Sequence, residues 1–202
     1  MFLAYIPYAP IPNMEALKAL MPPDRQARFA ARNPAPLFAY GLLSLVLDRH
    51  YSLDAQDIRY TEAGRPYLPG DPVHISLSHT RTHALCAVSE APVGCDIEVH
   101  RPVSPRTIQR VLADGESEAD FFAYWTLKES YFKLTGDLSQ PFSSIFFQLA
   151  DDSATRSDAQ GFVYREIPNC TTAVVAHELF FRPSLQEFTS VELFSYADKK
   201  WA

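Results

Sequence analysis

The segment 37–47, LFAYGLLSLVL, constrains the fold more than any other part of the chain. Its eleven residues form the longest apolar stretch in the sequence. A helix with this pattern has no polar face to turn to water, so other structure must cover it on every side. A membrane span needs about 20 such residues, so this segment predicts a core helix, drawn over 37–49, and not a membrane anchor. The remaining chain must supply the cover. At 202 residues it is long enough to bury roughly 70% of the surface its unfolded form exposes.

The flanking sequence predicts sheets and further helices. Residues 2–8 read as a strand closed by Pro10 and Pro12, and the lack of a basic start argues against a signal peptide. Asn13 caps a helix over 14–20, and Asp24 a second over 25–31. Residues 73–78 alternate, 84–88 form a short apolar run, and 92–99 form another strand. A helix is expected at 102–111. The strongest helical pattern covers 119–134. Strands are expected at 144–149, 161–167, 171–178 and 191–196, with a polar turn over 151–160. The class is α+β, divided into an N-terminal half, 1–93, and a C-terminal half, 94–202.

Charge narrows the partners. Eighteen basic residues against 24 acidic ones leave a net charge of −6. A protein built for nucleic acid usually carries the opposite sign, so any phosphate site must be local. The three cysteines, Cys86, Cys95 and Cys170, include no CxxC pair. They read as reduced thiols of a cytoplasmic protein with no membrane partner.

Three segments concentrate polar chemistry. In Val93-Gly94-Cys95-Asp96-Ile97-Glu98, residues two apart face one way, so Asp96 and Glu98 point together while Cys95 and Ile97 point into the core. Paired carboxylates repel unless a cation lies between them, and hard oxygen ligands suit Mg²⁺; a solvated acidic strand face is the plainer alternative. In FFAYWTLKESYFK, Trp125, Glu129 and Lys133 recur every four residues and share a helical face. Glu129 could add a third carboxylate, though an ordinary surface ion pair with Lys133 has the same spacing. Ser76-Leu77-Ser78-His79-Thr80 ends a strand with hydroxyls, amides and an imidazole, which together suit a phosphate; a hydrogen-bonded turn would look the same.

GRP at 64–66, SLSH at 76–79, PVGCDIE at 92–98 and WTLKESYFK at 125–133 occur in the order and spacing of a known family. Over 64–142 the chain resembles the 4′-phosphopantetheinyl transferases of the Sfp type. The resemblance implies two similar α+β halves about a pseudo-two-fold axis, with the active site in the cleft between them. It implies transfer of the phosphopantetheine arm of coenzyme A to a serine of an apo acyl or peptidyl carrier protein, with release of 3′,5′-ADP, by a monomer. Asp96, Glu98 and Glu129 would hold Mg²⁺. Arg65, Ser78, His79, Thr80, Lys128 and Lys133 would contact coenzyme A. Asp96, Glu129 and Lys133 would carry catalysis, with Glu129 taking the serine proton and Lys133 neutralising the leaving group.

The chain departs from the family pattern at Leu37, where an Arg is usual, and Arg28 or Arg32 would then serve the 3′-phosphate. The stretch 111–121, in a region that often receives the carrier, is short. Two other readings share parts of this pattern. A non-catalytic relative that binds coenzyme A or a carrier protein would have lost a motif carboxylate or lysine, and none is lost. A metal-dependent nuclease would carry a basic stripe, and none is present.

Overall fold

The computed structural model describes residues 1–30, 33–62, 64–137 and 139–200. The chain is mixed α+β and divides into two compact units, Met1–Glu90 with the chain from Pro183 onward, and Ala91–Arg182.

The first unit is built around its apolar helix. Strand β1 (Phe2–Pro7) is followed by α1 (Met14–Ala19), α2 (Pro23–Arg28) and α3 (Ala35–Tyr51). Asn13 accepts from the Ala16 amide at 3.2 Å and caps α1 as expected. Asp24 does not cap α2. Pro22 holds the cap position, and Asp24 lies inside the first turn, where its charge still suits the helix dipole. In α3, Leu37, Phe38, Leu42, Leu43, Leu45, Val46 and Leu47 are all fully buried. The helix is covered by a sheet and by a helix from the far end of the chain.

Two short strands, β2 (Arg59–Tyr60) and β3 (Pro66–Tyr67), pair as a hairpin. Then come β4 (His74–His79) and β5 (His83–Ser89). Strand β1 pairs antiparallel with β5, which pairs with β4.

In the second unit, β6 (Val93–Val99) leads to α4 (Pro105–Val111) and α5 (Phe121–Thr135). The chain continues through β7 (Gln148–Ala150), β8 (Ser153–Arg156), β9 (Ala159–Tyr164) and β10 (Cys170–Ala176). The sheet order is β6-β10-β9-β8-β7, antiparallel throughout. Helix α5 lies on β6 and β10. The polar segment expected to be a turn over 151–160 contains β8, whose Ala154 is fully buried.

The tail returns to the first unit. Strand β11 (Leu185–Glu187) adds parallel to β1, and α6 (Ser190–Lys200) follows it. The sequence division at 93/94 groups these residues with the second half. The strand expected at 191–196 is a helix. Its start is a capping box: Glu192 N–H donates to Thr189 Oγ1 at 3.2 Å, and Thr189 N–H donates to Glu192 Oε2 at 2.9 Å. Leu193 and Ala197, four apart, are the residues it buries.

Candidate active site

Gly94 sets the geometry of the carboxylates. A Cβ there would fall inside the Ser130 carbonyl oxygen and within 2.8 Å of the Leu134 amide nitrogen. Only glycine lets the backbone of α5 rest directly on β6. Ser130 reinforces the contact, its hydroxyl donating to the Ala173 carbonyl of β10 at 3.2 Å. Gly136, at φ 72°, then ends the helix in the left-handed conformation.

This docking puts one face of α5 over Asp96 and Glu98. Asp96 is buried, 4% exposed, beside the helix and not on a solvated strand face. Cys95 and Ile97, which alternate with it, are also buried. Lys133 Nζ donates to Asp96 Oδ1 at 2.8 Å and to the Cys95 carbonyl at 3.1 Å. Burial opposes the charge on Lys133, but Asp96, supported by Glu129, outweighs it and raises the ammonium above its ordinary pKa. The bond that defines Lys133 therefore crosses from helix to strand, instead of running along the helix to Glu129. Burial, then repulsion from Asp96 and Glu98, raises the Glu129 carboxyl above the usual carboxylate range, and Lys133 partly offsets this. All three acids thus lie within electrostatic reach of one another.

Two of the acids have basic partners in the chain. Lys133 holds Asp96, and Arg101 holds Glu98 at 2.5 Å. Among the described residues there is no group of three or more His, Cys, Asp or Glu side chains that could hold a metal ion. In donor chemistry alone, the carboxylate oxygens of Asp96, Glu98 and Glu129 suit a hard divalent cation.

Lys128, expected near phosphate, has a different place. Its side chain is 0% exposed, and Nζ donates to Glu116 Oε2 at 2.5 Å and to the Val111 carbonyl at 2.6 Å. Glu116, also 0% exposed in its side chain, accepts from the Ala113 and Phe147 amides at 2.8 and 3.2 Å. Lys128 is an internal anchor, because its ammonium is enclosed and already bonded.

The first unit contributes a separate pocket of about 420 Å³. Arg25 and Arg28 of α2, Asn33, Tyr40 of α3, and Leu77 and His79 of β4 line it. His79 is exposed at the end of its strand. Ser78 is 8% exposed within the sheet. Thr80 builds the turn after it, its Oγ1 accepting from the His83 and Thr82 amides at 3.0 and 3.1 Å. Arg65 follows Gly64 in the turn between β2 and β3, its amide donating to Thr61 Oγ1 at 3.1 Å. Leu37 is fully buried, which leaves the basic role at this pocket to α2. Arg32 lies outside the described residues.

Sequence reasoning missed Arg25, whose guanidinium lies 4.0 Å above the Tyr60 ring. Its spacing of three from Arg28 was the available signal. It also missed Arg101 and Glu116, because each sits in a polar stretch that reads as solvent-exposed.

Comparison with known proteins accords with this chemistry. Residues 92–178 match the family model described as the 4′-phosphopantetheinyl transferase superfamily. The chain is 33% identical over 126 residues to the 4′-phosphopantetheinyl transferase Sfp of Bacillus subtilis (strain 168), covering 55% of this chain and 56% of that one. It is 35% identical over 131 residues to the 4′-phosphopantetheinyl transferase psf-1 of Bacillus pumilus, with the same coverage, 55% and 56%. It is 35% identical over 82 residues to a holo-[acyl-carrier-protein] synthase of Geobacillus kaustophilus (strain HTA426), covering 38% and 64%. The matches span little more than half the length of the first two relatives. The similarity to the 4′-phosphopantetheinyl transferase superfamily thus runs through residues 92–178.

Proposed function

We propose that this protein transfers the 4′-phosphopantetheine arm of coenzyme A to a serine hydroxyl of an apo acyl or peptidyl carrier protein. The observation that carries the reading is the docking of α5 on β6 at Gly94, which sets the Glu129 carboxyl within electrostatic reach of Asp96 and Glu98 and bonds Lys133 to Asp96 at 2.8 Å. A retained ammonium suits a reaction that moves negative charge.

In this proposal the serine oxygen bonds to the β-phosphorus, the bond from that phosphorus to the 3′,5′-ADP oxygen breaks, and Glu129 accepts the serine proton. Asp96 fixes Lys133, which has a third N–H for the departing oxygen. Arg25, Arg28 and His79 bind the nucleotide phosphates, and Arg65 assists. Ser78 and Thr80 shape the strand end that presents His79. Asp96, Glu98 and Glu129 are the residues that would hold Mg²⁺. When bound, the ion would neutralise the diphosphate. The pairing of two like halves about a pseudo-two-fold axis, with the site in their cleft, belongs to the same proposal, as do monomeric action and a cytoplasmic location. No helix among the described residues is long and apolar enough to cross a membrane. Cys86, Cys95 and Cys170 are buried thiols that form no disulfide among the described residues.

The test is intact-mass measurement of purified apo carrier proteins after incubation with this protein, coenzyme A and Mg²⁺. Gain of one phosphopantetheine group, blocked by EDTA, is the expected result. No gain on fatty-acid, polyketide and peptide-synthetase carriers would overturn the reading.

A further inference from the structure

We propose that Arg101 is a displaceable counter-cation on Glu98, holding that carboxylate until a divalent ion takes it. The inference rests on the metal reading of Asp96, Glu98 and Glu129. Arg101 Nη1 donates to Glu98 Oε2 at 2.5 Å and to the Val99 carbonyl at 3.0 Å. Its guanidinium carbon lies 5.8 Å from the centre of the Phe122 ring and 5.7 Å from that of Trp125. A carboxylate, a carbonyl and two aromatic faces therefore define one seat for the guanidinium. Both rings belong to α5, the helix that carries Glu129.

The two ion pairs on β6 are built differently. Lys133 reaches Asp96 from within the packed helix, and Asp96 has a side-chain exposure of only 6%. Arg101 is 45% exposed and Glu98 22%. An exposed pair of this kind is weakly held and screened by solvent, so an ion with higher charge can displace the guanidinium. The seat is reversible. Arg101 keeps Glu98 neutralised and oriented while no ion is bound, and swings into water when one arrives. Divalent affinity is thereby reduced by the cost of that release.

Mn²⁺ binding, counted by electron paramagnetic resonance of the free ion, tests the proposal without turnover. Arg101→Gln should bind Mn²⁺ about two- to fivefold more tightly than the wild type, the range expected for loss of a surface pair. In a Glu98→Gln background the same substitution should add nothing, because the latch has no carboxylate to hold. In a Trp201→Phe background Mg²⁺ should shift the emission of Trp125, and Arg101→Gln should remove that shift. Unchanged or weaker Mn²⁺ binding by Arg101→Gln overturns the latch and leaves the metal reading standing. Equal tightening with and without Glu98 also overturns it, since that is a general charge effect. Absence of Mn²⁺ binding in every variant overturns both the latch and the metal reading.

Discussion

Replacing Lys128 by Met removes the ammonium from an ion pair that water does not reach. Both side chains are 0% exposed. The orphaned Glu116 would keep its bonds from the Ala113 and Phe147 amides but lose its counter-charge. The Val111 carbonyl would lose its donor. Breaking a buried pair from one side typically costs about 3–5 kcal/mol. In a domain of this size, 1 kcal/mol moves the melting temperature by roughly 2–4 °C, so a fall of about 6–20 °C is expected. Equilibrium urea unfolding, followed by circular dichroism, should show it as a lower midpoint. Glu116→Leu combined with Lys128→Met should lose clearly less than the sum of the single changes, because no buried charge is left unpaired. A Lys128→Met variant within about 1 kcal/mol of wild type would refute the reasoning, since that is the contribution of an exposed pair.

Gly94→Ala should prevent the second unit from folding, seen as loss of near-UV circular dichroism, because backbone and not a flexible side chain occupies the space a methyl would need. Glu129→Gln should abolish carrier modification yet raise the melting temperature at neutral pH. The folded-state pKa of Glu129 is raised, so its contribution to stability is present in acid and is lost as pH rises through that value. The advantage of Gln should therefore shrink in mild acid when measured without divalent ions. Arg28→Ala should raise KM for coenzyme A several-fold with kcat little changed, as expected for a group that binds ground state and transition state alike.

Local pattern was enough to place the elements that matter most. An all-apolar run predicted α3, alternation predicted β4, and a four-residue period put Trp125, Glu129 and Lys133 on one face of α5. The motif spacing carried the resemblance to the family. Other features were legible but misread. Thr189 and Glu192 spell a capping box, yet the segment 191–196 reads as a strand. The decisive difference is that Leu193 and Ala197 are buried while Ser195, which a strand would put on the same face, is exposed.

Tertiary structure decided what each charge does. Lys128 and Lys133 stand on the same helix five residues apart. One is sealed against Glu116, and the other faces Asp96, according to which element packs over each side. Arg101 acquires its seat only because α5 lies across β6 and brings Phe122 and Trp125 beneath it. Strand β11 joins β1 from nearly two hundred residues along the chain, a pairing no local pattern encodes. Sequence determines periodicity, and hence faces. The partner of a face, and with it desolvation and charge state, is set by contacts distant in sequence.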